Sequence, residues 1–202
     1  MSAPSASRLL VYGLILAGGR SSRFGSEKAA AEIDGRPMLA RIVATLQPNV
    51  AALAINAPPG RWASAFAVEH ALPLLPDAPG DPDGPLSGVK AGLIWAAACG
   101  AELLVTTPCD TPFLPPDMVA RLTQALTHRA GAAVACTDQG SQPLCAVWRR
   151  ESLEAIQAAL AGGEHPSIRK VLGALNTVEV HFDDPHAFDN INTPQDYARA
   201  GG

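Results

Sequence analysis

The run Leu14–Lys28, LILAGGRSSRFGSEK, holds the densest set of residues able to do chemistry in this chain. A short apolar stretch ends in Gly18 and Gly19. Arg20, Arg23 and Lys28 follow, with Gly25 among them. Glycines let backbone N–H groups come close to a phosphate, and arginine and lysine neutralise it. The pattern describes a buried strand opening into a cationic loop suited to a polyphosphate, with a nucleotide as the first candidate. Lys28 could hold a leaving pyrophosphate, and Arg23 offers a fork to phosphate oxygens. The loop is neither a Walker A sequence nor G-x-G-x-x-G, so an exposed turn with ordinary surface cations stays open on these residues alone.

Three other stretches could add to such a site. In Thr107-Pro108-Cys109-Asp110-Thr111-Pro112, Asp110 sits in a loop stiffened by two prolines. One carboxylate there suits Mg²⁺, which binds through one or two carboxylates plus substrate phosphates. A capping aspartate is the competing explanation. In Gly84-Pro85-Leu86-Ser87-Gly88, Gly88 would admit a ligand or a packed chain, and a Ser-capped helix start competes. In Phe188-Asp189-Asn190-Ile191-Asn192-Thr193-Pro194, Asn190 and Asn192 share a side if the backbone is extended. They could then bond substrate or metal-bound phosphates, and a turn with an N-cap competes. Cys109 has no histidine placed to activate it, which disfavours a thiol nucleophile. His165, His181 and His186 are scattered and read as surface residues.

These residues need elements to hold them. The apolar runs Leu9–Leu16, Val50–Asn56, Leu72–Leu75, Glu102–Thr107, Ala132–Cys136, Leu144–Trp148 and Thr177–Phe182 read as strands. Helical patterns cover Met38–Leu46, Leu86–Ala98, Pro116–Thr127, Arg150–Ala161, Ile168–Leu172 and Pro194–Ala200. Pro116 suits a first helical turn. Thr193 reads as an N-cap, with Asp196 in the first turn. The Pro/Gly/Asp-rich segment Pro76–Pro85 is neither helix nor strand and reads as a surface loop. Alternation of strands and helices predicts βαβ units and a mostly parallel sheet covered on both faces. Ligands of such sheets bind beyond the carboxyl ends of the strands. The Gly18 loop follows the first strand and Asn56 ends the second. Asp77 follows the third and Asp110 the fourth, so four strand ends point at one potential cleft.

The 202 residues predict one domain, residues 1–202, with 1–7 as a short disordered extension. Hydrophobic residues make up 48% and charged residues 17%, ordinary for a globular chain with a substantial core. A net charge of −4 argues against a general nucleic-acid binder. Cys99, Cys109, Cys136 and Cys145 show neither C-x-x-C nor zinc-like spacing, so buried thiols in a reducing cytosol are expected. Signal-peptide features are missing and no uncharged apolar run reaches membrane-spanning length. The expected location is cytoplasmic, without membrane contact.

Taken in order, LAGGRSSRFGSEK, the Asp77 loop, GPLSG, PCDTPFLPPD and FDNINTP resemble the molybdenum cofactor guanylyltransferases, from Leu14 to Ala200. Phe24 and Glu27 stand where that family usually has Met and Asp. The resemblance implies a Rossmann-like three-layer α/β/α sandwich with a mostly parallel central sheet. It implies GMP transfer from GTP to the molybdenum–molybdopterin cofactor, with release of pyrophosphate and a requirement for Mg²⁺. By position, Leu16, Ala17, Gly18 and Gly19 would contact the nucleotide and Lys28 its phosphates. Asn56 and Asp77 would line the GTP site, and Asp110 would bind both GTP and Mg²⁺. Asn190 and Asn192 match family asparagines near the transfer site. Molybdoenzymes or their chaperones would receive the product. The rivals are a cytidylyltransferase for the same cofactor, a sugar-1-phosphate nucleotidyltransferase and a GTP-binding carrier without turnover. Cytidylyl relatives typically carry LAAG, so Gly18-Gly19 favours guanine. Sugar-nucleotide enzymes are usually longer. Keeping both Lys28 and Asp110 argues against a carrier.

Overall fold

The computed structural model describes residues 9–18, 28–162, 166–192 and 196. The extension 1–7, Gly19, Arg20, Arg23, Gly25, His165, the Thr193 cap and all of the helix expected over 194–200 except Asp196 lie outside the described residues. The first strand, β1 (Val11–Leu16), is nearly all apolar and buried from Gly13 onward, as a central strand covered on both faces must be. It pairs in parallel with β4 (Ala52–Asn56) and β5 (Leu103–Pro108). Beyond β5 come β7 (Gly140–Arg149), β6 (Ala132–Thr137) and β8 (Val178–His181), giving the order β4-β1-β5-β7-β6-β8. The pairing directions leave β7 alone antiparallel in this sheet.

Strict alternation along the strands divides the core. Ile15, Leu53, Ile55, Val105 and Val147 point to one face, where they meet α1 (Met38–Leu46), α2 (Trp62–Glu69) and α4 (Met118–Ala125). Leu14, Leu16, Ala54, Leu104 and Trp148 point to the other, against α3 (Pro85–Ala98), α5 (Ser152–Leu160) and α6 (Ile168–Ala174). The result is the expected three-layer α/β/α sandwich.

Several elements differ from the sequence expectation for physical reasons. The run Leu72–Leu75 makes one parallel bridge, Ile55 to Leu74, beside β4. Pro73, whose carbonyl accepts from Ile55 N–H, carries no N–H to extend the ladder backward along β4. Strand β7 is longer than Leu144–Trp148 and is bulged. Its register with β6 jumps from Val134 opposite Ala146 to Ala135 opposite Gln142, leaving Pro143, Leu144 and Cys145 outside regular pairing. Helix α4 begins at Met118, so Pro116 precedes it. Helix α2 follows no amphipathic stripe, and its shortness and mixed small and aromatic residues hide it from periodicity. A small hairpin, β2 (Glu32–Ile33) with β3 (Arg36–Pro37), turns on Asp34 and Gly35 at φ +50° and +70°. Two positive φ values match the tight Asp-Gly turn type.

A polar contact inside the apolar layer joins β5 to two points of β7. Trp148 Nε1–H donates to Thr106 Oγ1 at 2.9 Å, and that hydroxyl donates to Leu144 O at 2.8 Å. Trp148 and Thr106 are fully buried. Thr106→Val keeps the shape but strands the indole N–H and the Leu144 carbonyl. We expect a loss of about 1–3 kcal/mol, read as a lower urea midpoint with an unchanged m-value.

Candidate active site

Hydrogen-bond register brings three strand ends to one level. Leu16, the last residue of β1, lies opposite Asn56 of β4 and Pro108 of β5. The ladder runs one step further, because Ala17 N–H donates to Asn56 O at 2.8 Å and Cys109 N–H donates to Leu16 O at 3.0 Å. Gly18, Asn56 and Asp110 therefore emerge side by side at the carboxyl edge of the sheet.

On the β4 side, Asn56 is buried, with 4% exposure. Its amide donates to Leu75 O and to Asp77 Oδ1, each at 2.8 Å. A buried amide that must satisfy its donors thus fixes where the exposed Asp77 begins its loop. Gly88 of α3 makes this possible. A Cβ at Gly88 would stand 2.4 Å from Asn56 Oδ1 and 2.7 Å from Leu16 Cδ2. The close approach that Gly88 permits is to a packed chain. Ser87 lies inside α3, and its hydroxyl donates to Pro82 O at 2.6 Å, so the Ser-capped start gives way to Pro85 in the first turn behind Gly84.

On the β5 side, Lys28 begins a short 3₁₀ turn whose Ala29 is buried in the core. Its Nζ lies 3.3 Å from Asp110 Oδ2 and also donates to Asn192 Oδ1. The Lys28 and Asp110 side chains are 18% and 19% exposed, so the pair is partly shielded from solvent. Ile191 N–H donates to Asp110 O at 2.9 Å and pins the late segment to this loop. Ile191 is buried against Ile33 and Met38, while Asn190 and Asn192 are exposed. The alternation places both asparagines on the open side. Residues 28, 110 and 192, far apart in sequence, thereby meet around one ammonium group. The Asn56–Asp77 group lies on the far side of the β1 end, roughly 10 Å away by two strand spacings.

Of the four cysteines expected to be buried, only Cys145 is, Cys109 and Cys136 being half-buried and Cys99 exposed, and Cys145 is a poor nucleophile. Burial pushes the Cys145 thiol up; a Thr111 hydrogen bond opposes this and the Asp110 charge adds to it. His181 and His186 are exposed, His186 with Nδ1 2.7 Å from Asp189 Oδ2. Among the described residues, no three His, Cys, Asp or Glu side chains gather to hold a metal. Asp110 and Asn192 Oδ1 offer hard oxygen donors of the kind that suit a cation arriving with phosphates. Sequence reasoning passed over Asp81 and Lys90, which pair beside this edge. The only signal was that both flank the GPLSG stretch.

A family model described as MobA-like NTP transferase domain matches residues 13–179. The chain belongs to this family. A relative from Rhodobacter capsulatus named "Molybdenum cofactor guanylyltransferase" is 44% identical over 194 residues, covering 94% of each chain. One of the same name from Cereibacter sphaeroides is 42% identical over 196 residues, covering 94% of this chain and 95% of its own. The crystal structure of molybdopterin-guanine dinucleotide biosynthesis protein A from Archaeoglobus fulgidus superposes with a TM-score of 0.76 at 22% identity. It covers 94% of this chain and 96% of that one, and establishes a shared fold. Among the described residues, no helix is long and apolar enough to cross a membrane.

Gly88→Ala should cost about 1–3 kcal/mol of stability by driving a methyl into Asn56, despite the helix-propensity gain of about 1 kcal/mol. Gly173 of α6 has nothing within 4 Å of its Cβ position. Gly173→Ala should therefore be neutral or stabilising, and thermal melts of the two variants beside the parent check both outcomes.

Proposed function

We propose that this protein transfers GMP from GTP to the molybdenum–molybdopterin cofactor, forming its guanine dinucleotide and releasing pyrophosphate. The observation that carries this proposal is the meeting of Lys28, Asp110 and Asn192 at one strand edge, in a chain 44% identical to a relative named for that activity. The terminal phosphate oxygen of the pterin attacks the α-phosphorus of GTP. A new P–O bond forms, and the bond from the α-phosphorus to the oxygen bridging to the β-phosphate breaks. Pyrophosphate leaves with that electron pair. The attacking phosphate is already ionised near neutral pH, so the step needs no strong general base.

Each residue has a part in this proposal. Leu16, Ala17, Gly18 and Gly19 contact the nucleotide, and Asn56 and Asp77 form the β4 side of the GTP site, the buried Asn56 acting through the Asp77 carboxylate that it holds. The Gly18-Gly19 pair favours guanine over cytosine. Lys28 and Arg23 hold the phosphates and stabilise the departing pyrophosphate. Asn190 and Asn192 lie at the transfer point. Asp110 would hold Mg²⁺ together with the nucleotide. When bound, the ion neutralises charge on the phosphates during in-line displacement. We place the enzyme in the cytoplasm, in keeping with four cysteines that form no disulfide. Its product would pass to molybdoenzymes or their chaperones.

The test is to incubate the purified protein with Mg²⁺, molybdenum–molybdopterin and GTP, CTP or ATP. Pyrophosphate release with GTP alone is expected. Release with CTP alone would make it a cytidylyltransferase, and release with none would make it a carrier. Asp110→Ala should lower kcat at least about 10²-fold while the unfolding midpoint stays near that of the parent. Near-normal activity in that variant would overturn the role given to Asp110.

A further inference from the structure

The loop 77–84 starts at a residue assigned to the nucleotide site, yet it consists of proline, glycine, aspartate and one alanine. Such a segment has few backbone bonds of its own, and one turn bond, Asp81 N–H to Ala78 O at 3.1 Å, falls within it. Asn56 holds its first residue. Its far half is held by α3. Lys90 Nζ donates to Asp81 Oδ1, and Ser87 Oγ donates to Pro82 O. The Asp81 and Lys90 side chains are only 14% and 15% exposed. Among the described residues, the buried Asp81 Oδ2 has no hydrogen-bond partner. Enclosing an ion pair this far, with one oxygen unsatisfied, does little for stability by itself, because desolvation offsets the attraction. The same stretch of α3 also presses Gly88 onto Asn56. Ser87, Gly88 and Lys90 thus control both ends of the loop.

We propose that Asp81 and Lys90 are positioning residues that clamp loop 77–84 onto α3 and so preset Asp77 at the nucleotide cleft. The proposal rests on the nucleotide-site assignment of Asp77. In this role neither residue needs to contact substrate. An unclamped loop samples many conformations, and binding must then order it, which weakens nucleotide affinity without altering the chemical step.

The experiment compares Asp81→Asn, Lys90→Met and Lys90→Arg with the unsubstituted protein. Hydrogen exchange at the Asp81 amide, which donates to Ala78 O, measured without nucleotide, should speed up about tenfold in the first two and stay near the parent value in Lys90→Arg. With GTP as substrate, KM should rise about tenfold in the first two while kcat stays within about twofold. Unchanged exchange overturns the clamp, and so does a fall in kcat at constant KM. If Asp81→Asn does not fold, Ser87→Ala removes one hydroxyl from the same clamp and is read by the same two measurements. An unsubstituted protein that releases no pyrophosphate from GTP fails the functional proposal instead. In that case the exchange rates still decide whether the clamp exists.

Discussion

The site depends on one constraint: the register of β1 between β4 and β5. Backbone hydrogen bonds set Leu16 level with Asn56 on one side and Pro108 on the other. Side chains alternate with a period of two, so a slip of one residue would reverse every face of these strands. The core forbids that slip, because Leu14 and Leu16 are buried against one helical layer and Ile15 against the other. The force that holds the sheet together is thus also the force that aligns Gly18, Asn56 and Asp110. Position is specified to within a fraction of a strand spacing without any of these polar residues having to supply stability.

Helix α3 adds a second constraint, built on small residues. Gly92 lets it approach Leu14 and Leu104, and Gly88 lets it approach Asn56 and Leu16. The close approach seals the amide of Asn56 from water, so its donors must be satisfied within the protein. Leu75 O and Asp77 Oδ1 satisfy them. A packing feature is converted in this way into the direction of a carboxylate. On the other side of β1 the logic is similar, with Ile191 as the buried peg that places Asn192 against Lys28.

Much of this was legible in the chain. Strands Val11–Leu16, Ala52–Asn56 and Leu103–Pro108 overlap the runs Leu9–Leu16, Val50–Asn56 and Glu102–Thr107 read from the sequence, because strands buried on both faces are predominantly apolar. Helix α1 was read to its ends, since its apolar face repeats at helical spacing. Helix α2 was not, because small and aromatic residues all round leave no stripe. The hairpin at Asp34-Gly35 carried a recognisable turn signal and was passed over among stronger periodic segments. Leu72–Leu75 looked like a strand by hydropathy, but a proline, Pro73, on its hydrogen-bonding edge leaves it with one bridge. The Asp81–Lys90 pair left only its position on either side of GPLSG as a trace, because no local pattern brings a loop aspartate onto a helix nine residues later.

By itself the sequence determined the alternation of strands and helices, the residue types at the strand ends and the family to which the chain belongs. Those properties are local or one-dimensional: periodicity, turn chemistry and motif order need no third coordinate. Only the tertiary structure decided that Lys28 meets Asp110 and Asn192, that Gly88 faces Asn56 rather than open space, and that Asp77 hangs from a buried amide. Contacts between residues 82 and 164 positions apart arise from strand register and layer packing. Those are set by the whole core at once, so no single motif encodes them.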